Sequence, residues 1–191
     1  MTRADAIRPR VSGLAHPDAR RLAWINAVGG ACVLASYAWG FLAHPDGIDA
    51  LWGGVPERAR SLYTLSMLLA AAGYFLFTPF ILFRLPPDET RIAGRLGYRL
   101  FHALYALVLF PSALWMPLAF QVEAPRGALF WLMRLDLAAV AVGSLGLLAA
   151  LLALTAPRPA PGRGLACLGL VFFCLQTAVL DAAVWPALFG R

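Results

Sequence analysis

The sequence predicts an all-α integral membrane protein: a five-helix transmembrane bundle with its amino terminus in the cytoplasm and its carboxyl terminus outside. Composition, long apolar runs and the placement of the arginines predict this class. Of the 191 residues, 61% are hydrophobic and only 14% are charged, and the mean hydropathy is +0.71. A soluble domain carries about a quarter charged residues, so this composition excludes one. It also excludes a disordered chain, and three cysteines cannot build a disulfide scaffold.

Five stretches are long enough to cross a bilayer, which takes about 20 mainly apolar residues in a helix. Apolar and polar residues do not alternate along them, so helices are favoured over a β-barrel. We expect a basic cytoplasmic tail over residues 1–21 and one membrane domain over residues 22–189. The predicted spans cover about residues 22–43, 61–83, 98–120, 129–155 and 164–189.

Each span carries small residues or prolines that indicate how it packs. Gly29, Gly30 and Ala31 lie in the first span, Ala70 to Gly73 in the second, and Ala139 and Gly143 in the fourth. Small residues let helix backbones approach closely, so these faces are expected to pack in the bundle or in a homodimer. The spans also contain four prolines: Pro79, Pro111, Pro117 and Pro186. They predict kinks in the helices, although prolines are also generally more common in membrane helices than in soluble ones.

The arginines set the expected orientation, because the chain has no lysine. With the amino terminus inside, eleven arginines lie on the inner side and four on the outer side, which is a strong positive-inside bias. The inner ones are Arg3, Arg8, Arg10, Arg20, Arg21, Arg84, Arg91, Arg95, Arg99, Arg158 and Arg163, and the outer ones Arg58, Arg60, Arg126 and Arg191. Topology therefore explains the net charge of +6, and no nucleic-acid partner is predicted.

Three ionisable residues lie well inside the predicted spans: Arg134, Asp136 and Asp181. A charge in hydrocarbon is costly and is usually retained for a function. The predicted topology places all three in the outer half of the bilayer, where Arg134 and Asp181 could form a salt bridge. Two structural alternatives remain open: the ion pair only holds the fourth helix against the fifth, or Arg134 extends to the membrane interface.

Aromatic and polar side chains from several spans reach the same outer layer, and an outer loop over residues 44–60 could cover it as a lid. An aromatic belt at the interface explains some of them, and a ligand pocket explains them as well. The candidate ligand-binding set is Tyr37, Trp39, Tyr63, Trp115, Arg134, Asp136, Gln176, Asp181 and Trp185. Trp115 and Gln176 are the better pocket candidates, because they lie deeper than a residue of an aromatic belt needs to.

No sequence motif for catalysis or metal binding is found. His102 is the only histidine within a span, whereas a membrane haem normally needs two axial histidines. We therefore predict no resident cofactor and no metal site. His102 itself is expected to be a buried hydrogen-bonding residue near the inner interface.

Local segments resemble the tryptophan-rich sensory protein and translocator protein family, also called the peripheral benzodiazepine receptor family. Residues 61–71 resemble its second helix, residues 112–120 its third-helix Asn-x-x-Trp-x-x-x-Phe segment, and residues 176–181 the end of its fifth helix. The chain lacks the family's Trp-x-Pro-Pro signature, and it has Ser112 and Asp181 where the family has asparagines. The resemblance implies binding of porphyrins, haem, sterols or similar flat apolar ligands from the outer side. Trp115, Gln176 and Asp181 would line that pocket, and the protein would dimerise through small-residue faces.

Three functions follow as hypotheses. The first is a sensor, carrier or regulator that binds a hydrophobic or flat aromatic molecule in an outer-half cavity. The second is a non-catalytic structural or assembly subunit of a larger membrane complex. The third is a lipid or sterol isomerase-like enzyme using Asp181 and Arg134. The abundance of arginine, alanine and glycine without lysine favours a bacterial protein of the cytoplasmic (inner) membrane.

Overall fold

The computed structural model describes residues 13–122, 127–157 and 160–189. It is mostly helical, and five helices are long and apolar enough to cross a membrane, as the sequence predicted. They are α1 (Pro17–Ala43), α2 (Glu57–Arg84), α3 (Arg99–Gln121), α4 (Ala128–Leu152) and α5 (Arg163–Leu188). The last turn of α2, Phe80–Arg84, and the middle of α5, Leu175–Val184, are π-helical.

The helix bounds differ from the predicted spans by three residues or more at three places, and one of them is the start of α2, which begins at Glu57 rather than at the predicted residue 61. Helix α1 begins at Pro17, inside the segment predicted as a tail, because Pro17 suits a first helical position and His16 caps the helix by accepting from the Asp18 N–H. Residues 1–12 of that tail lie outside the described residues. Helix α4 ends at Leu152, before the predicted 155, because Leu154–Ala156 forms a strand, β2. It pairs antiparallel with β1, Arg91–Ile92, so a two-stranded sheet joins two connecting loops.

The helices form a ring in the order α1, α3, α4, α5, α2. Helix α2 packs chiefly against α5 and has little contact with α1. The ring closes through a hydrogen bond from the Tyr74 hydroxyl on α2 to the Asn26 side chain on α1.

One end of the bundle, here called the basic end, carries the start of α1, the β1 and β2 loops, and most of the described arginines. Short polar contacts join its segments. His16 Nε2 lies 3.2 Å from Asp88 Oδ1, and Arg99 Nε lies 3.3 Å from Asp18 Oδ2. His102 is half-buried close by and hydrogen-bonds the Asp18 carbonyl at 2.8 Å. This hydrogen bond is the role that the sequence predicted for His102.

The opposite end, the lid end, is covered by the lid loop, residues 44–56, which includes a 3₁₀-helix over Pro45–Trp52. On one side the His44 ring stacks on Phe120 of α3 with a centroid distance of 4.4 Å. On the other side Trp185 of α5 donates from Nε1 to the Leu51 carbonyl at 2.9 Å. Gly54 lies so close to the Leu188 carbonyl that a Cβ atom would collide with it. The lid loop is therefore fixed across the bundle, from α3 to α5.

Two apolar clusters fill the interior. The larger includes Phe77, Phe101 and Tyr105, all fully buried, and reaches toward the basic end. The smaller lies under the lid loop and contains Val55, Tyr63, Phe130, Met133, Leu137 and Trp185. Trp115 packs against the smaller cluster, so the candidate site forms on its margin.

Candidate functional site

The candidate site is organised by the π-helical part of α5. Gln176 donates from Nε2 to Asp181 Oδ1 at 2.7 Å, although the two residues are five apart. In an α-helix of 3.6 residues per turn, such residues point about 140° away from each other. A π-helix closes its turns with i to i+5 hydrogen bonds, so it places them one above the other. The wide helix is what brings this pair together.

Gln176 is only 5% exposed, yet its second polar atom is unsatisfied. The side-chain oxygen Oε1 has no hydrogen-bond partner in the described part of the chain. A buried polar atom without a partner costs about 1–3 kcal/mol. The amide therefore offers one free acceptor inside the bundle.

Aromatic residues from three other helices surround this pair. Tyr37 of α1 stacks on Trp115 of α3 with a centroid distance of 5.9 Å and an interplanar angle of 25°. Both Tyr37 and Tyr63 lie within electrostatic range of Asp181, and Tyr63 also donates to the Leu180 carbonyl at 3.4 Å. These five residues, Tyr37, Tyr63, Trp115, Gln176 and Asp181, are called the polar cluster below.

Arg134 does not form the predicted ion pair with Asp181 in the described structure. Its side chain is exposed, and the guanidinium lies over the Trp131 ring at 5.3 Å from the centroid. This is a cation–π contact on its own helix. Gln176, rather than Arg134, is therefore the hydrogen-bond partner of Asp181. The exposed guanidinium of Arg134 is compatible with the alternative in which this side chain extends to the membrane interface.

Two of the predicted tryptophans belong to the lid end rather than to the polar cluster. Trp39 is 45% exposed and packs edge-on against His44 and Phe120, which places it at the rim. Trp185 is buried, and its indole holds the lid loop through Leu51.

Asp136 is also separate from the polar cluster. It is 8% exposed and lines a groove of about 330 Å³ between α3 and α4. Its Oδ2 is buried without a hydrogen-bond partner among the described residues. The other residues that line the groove are apolar: Phe110, Pro111, Leu114, Pro117, Leu118, Leu132, Leu135 and Ala139.

The sequence analysis missed a hydroxyl contact that joins α4 to α5 beside this site. Thr177 Oγ1 donates to Ser144 Oγ at 2.8 Å, and both residues are buried. The available signal was a serine and a threonine within apolar spans, because such residues often hydrogen-bond across membrane helices.

Within the described residues, no group of three or more histidine, cysteine, aspartate or glutamate side chains could hold a metal ion. Comparisons with family models, with curated proteins and with solved structures found no match to this chain.

Proposed function

We propose that this protein binds a hydrophobic or flat aromatic small molecule, such as a porphyrin or a sterol, at the polar cluster beneath the lid loop. It would act there as a sensor, carrier or regulator. The observation that carries the proposal is the buried, unpaired Oε1 of Gln176. A pyrrole N–H or a hydroxyl group of a bound ligand would supply the missing donor.

The surroundings of Gln176 fit such a ligand. Binding sites for small molecules combine apolar and aromatic walls with a few convergent polar groups, and they often lie between the helices of a bundle. Here Tyr37 and Trp115 offer flat ring surfaces, and Asp181 and Tyr63 add polar groups. π-Helical turns are rare and occur frequently at functional sites, which supports a role for Leu175–Val184 beyond architecture.

The membrane setting is part of the same proposal. The described arginines outside the bundle interior concentrate at the basic end, so the lid end would face outward in a bacterial inner membrane. The polar cluster would then lie in the outer half of the bilayer, below a loop exposed to the periplasm. A homodimer would be compatible with this arrangement.

Thermal unfolding of the purified protein in detergent, with protoporphyrin IX, haem, cholesterol and a quinone as probes, tests the proposal. A ligand that binds only the folded state adds about 2.7 kcal/mol of stability at a hundredfold excess over Kd. We expect one probe to raise Tm in a saturable manner and to quench tryptophan fluorescence. Gln176→Leu should weaken that binding about five- to thirtyfold, the equivalent of one or two kcal/mol.

Gln121→Leu is the matched control, because Gln121 is exposed and, within the described residues, bonds only the Pro117 carbonyl of its own helix. It makes the same chemical change outside the polar cluster and should leave the Tm shift unchanged. If no probe changes Tm, or if the two variants lower affinity equally, the proposal is wrong.

A second candidate is a structural or assembly subunit, and the exposure of α1 favours it. Only 6% of the most apolar window of α1 is buried in the bundle, and Trp24, Val28 and Leu34 are largely exposed. A helix of a partner subunit could cover this face. A protein that purifies only with other subunits and binds none of the probes would favour this candidate. No comparable observation favours the isomerase hypothesis, because Arg134 lies on Trp131 rather than beside Asp181.

A further inference from the structure

The groove between α3 and α4 is a second potential site, and none of the polar cluster lines it. Pro111 and Pro117 of α3 form part of one wall, and Leu132, Leu135 and Ala139 of α4 lie on the other. Its volume of about 330 Å³ is within the range of ligand pockets, which starts near 300 Å³.

Among the described residues, Asp136 is the only titratable side chain that lines the groove. More than nine tenths of this residue is buried, and its Oδ2 has no partner in the described structure. A carboxyl group in hydrocarbon without a partner is expensive, whether the cost is that of a charge or of an unmade hydrogen bond. A bound molecule that hydrogen-bonds the carboxyl group from the groove would remove part of this cost.

The chemistry of the groove defines that molecule. Its rim is apolar and open, with Phe110 71% and Leu135 68% exposed, so entry would be sideways from the hydrocarbon of the bilayer. A hydroxyl group both donates and accepts hydrogen bonds, and therefore satisfies the carboxyl group in either protonation state. A second polar group on the molecule would find no partner among the apolar residues of the groove.

We propose that the groove between α3 and α4 binds a membrane-resident lipid alcohol, a long or polycyclic hydrocarbon with one hydroxyl group that hydrogen-bonds Asp136. This site is independent of the polar cluster, and either proposal can fail without the other. The hydrocarbon part would fill the space between the prolines of α3 and the leucines of α4.

Photolabelling of the full-length protein in phosphatidylcholine nanodiscs tests the inference. The probe is hexadecanol with a diazirine in the chain, and the matched probe is the same chain ending in a methyl group. We expect the alcohol to label residues 110–118 and 132–139 about fivefold more than the alkane, the preference that one hydrogen bond of about 1 kcal/mol gives. Asp136→Leu should abolish this preference, whereas Asp136→Asn, which retains hydrogen-bonding atoms, should preserve most of it.

Leu145→Ala is the control on the same helix, because Leu145 is exposed and does not line the groove. It should leave the preference intact, and the unfolding of each variant checks that the bundle still forms. Equal labelling by the two probes would mean that ordinary lipid hydrocarbon fills the groove, and would overturn the proposal. So would a preference that survives Asp136→Leu, or efficient disulfide crosslinking of Leu135→Cys between two copies, since a second copy would then occupy the groove.

Discussion

At the scale of single residues, buried hydroxyl groups of the bundle differ in whether they have a partner. Tyr105 is fully buried and donates to Thr78 Oγ1 at 2.9 Å. Ser66 is also buried, but its Oγ has no partner in the part of the chain that the structure describes. The first hydroxyl joins α3 to α2, whereas the second contributes no bond between helices.

We therefore predict opposite effects of removing these two hydroxyl groups. Tyr105→Phe should lower the free energy of unfolding by about 0.6–1.7 kcal/mol, which spans the mean and the maximum measured for hydrogen bonds between membrane helices. Ser66→Ala should leave it unchanged or raise it slightly, because it removes an unsatisfied buried group. Unfolding by SDS in mixed micelles measures both. A loss in Ser66→Ala equal to that in Tyr105→Phe would contradict the assignment.

The sequence predicted which residues reach the candidate site better than it predicted their contacts. Gln176 and Asp181 were both placed in the outer layer, but α-helical geometry gave no reason to pair residues five apart. Arg134 was paired with Asp181 by charge and depth alone. The depth of a residue in the membrane does not determine the direction of its side chain. The Arg134 guanidinium lies over the Trp131 ring of its own helix instead of pointing toward Asp181.

At the scale of elements, glycines decide how closely the helices approach. Gly73 of α2 and Gly169 of α5 bring the two backbones into direct contact, and a Cβ on Gly169 would lie 2.7 Å from the Gly73 carbonyl oxygen. Gly143 of α4 packs against Val108 of α3 in a similar way. The small-residue faces around Gly73 and Gly143 thus pack within the bundle, one of the two uses that the sequence left open.

Two glycine-to-alanine variants should separate packing from helix propensity. Gly73→Ala should destabilise the protein by about 1–3 kcal/mol, because its Cβ collides with the backbone of α5. Gly30→Ala should stabilise α1 by up to about 1 kcal/mol, because nothing lies within 4 Å of the added Cβ and alanine favours a helix. Thermal unfolding in one detergent compares them. If Gly73→Ala were as stable as Gly30→Ala, the close approach of α2 and α5 would be refuted.

Five spans could be predicted from composition, because about 20 apolar residues suffice to identify a membrane helix. The strands at the basic end could not. β1 has two residues and β2 three, too few for any alternating pattern, and their pairing depends on loops that only the folded bundle brings together.

At the scale of the whole molecule, the two ends of the bundle differ in charge and in whether a loop covers them. The basic end carries Arg84, Arg91, Arg95, Arg99 and Arg163, whereas the lid end is closed by a loop packed on α3 and α5. If the membrane orients the chain by these arginines, the lid loop lies outside.

Labelling of single cysteines in intact cells tests this orientation. In a variant with Cys32, Cys167 and Cys174 replaced by alanine, Ile48→Cys in the lid loop should react with a membrane-impermeant maleimide. Leu96→Cys, exposed in the basic-end loop, should react only after the membrane is permeabilised. Both substitutions leave every arginine in place. Labelling in the reverse order would show that the lid end faces the cytoplasm.

The packing of α2 on α5 has a consequence for biosynthesis. A ribosome makes the chain from its amino terminus, so α2 enters the membrane well before its main neighbour exists. Until Gly169 has been translated and inserted, the face of α2 around Gly73 meets lipid instead of helix. A nascent chain stalled before Arg163 would leave that face exposed to lipid, and completion of the last helix would end this exposure.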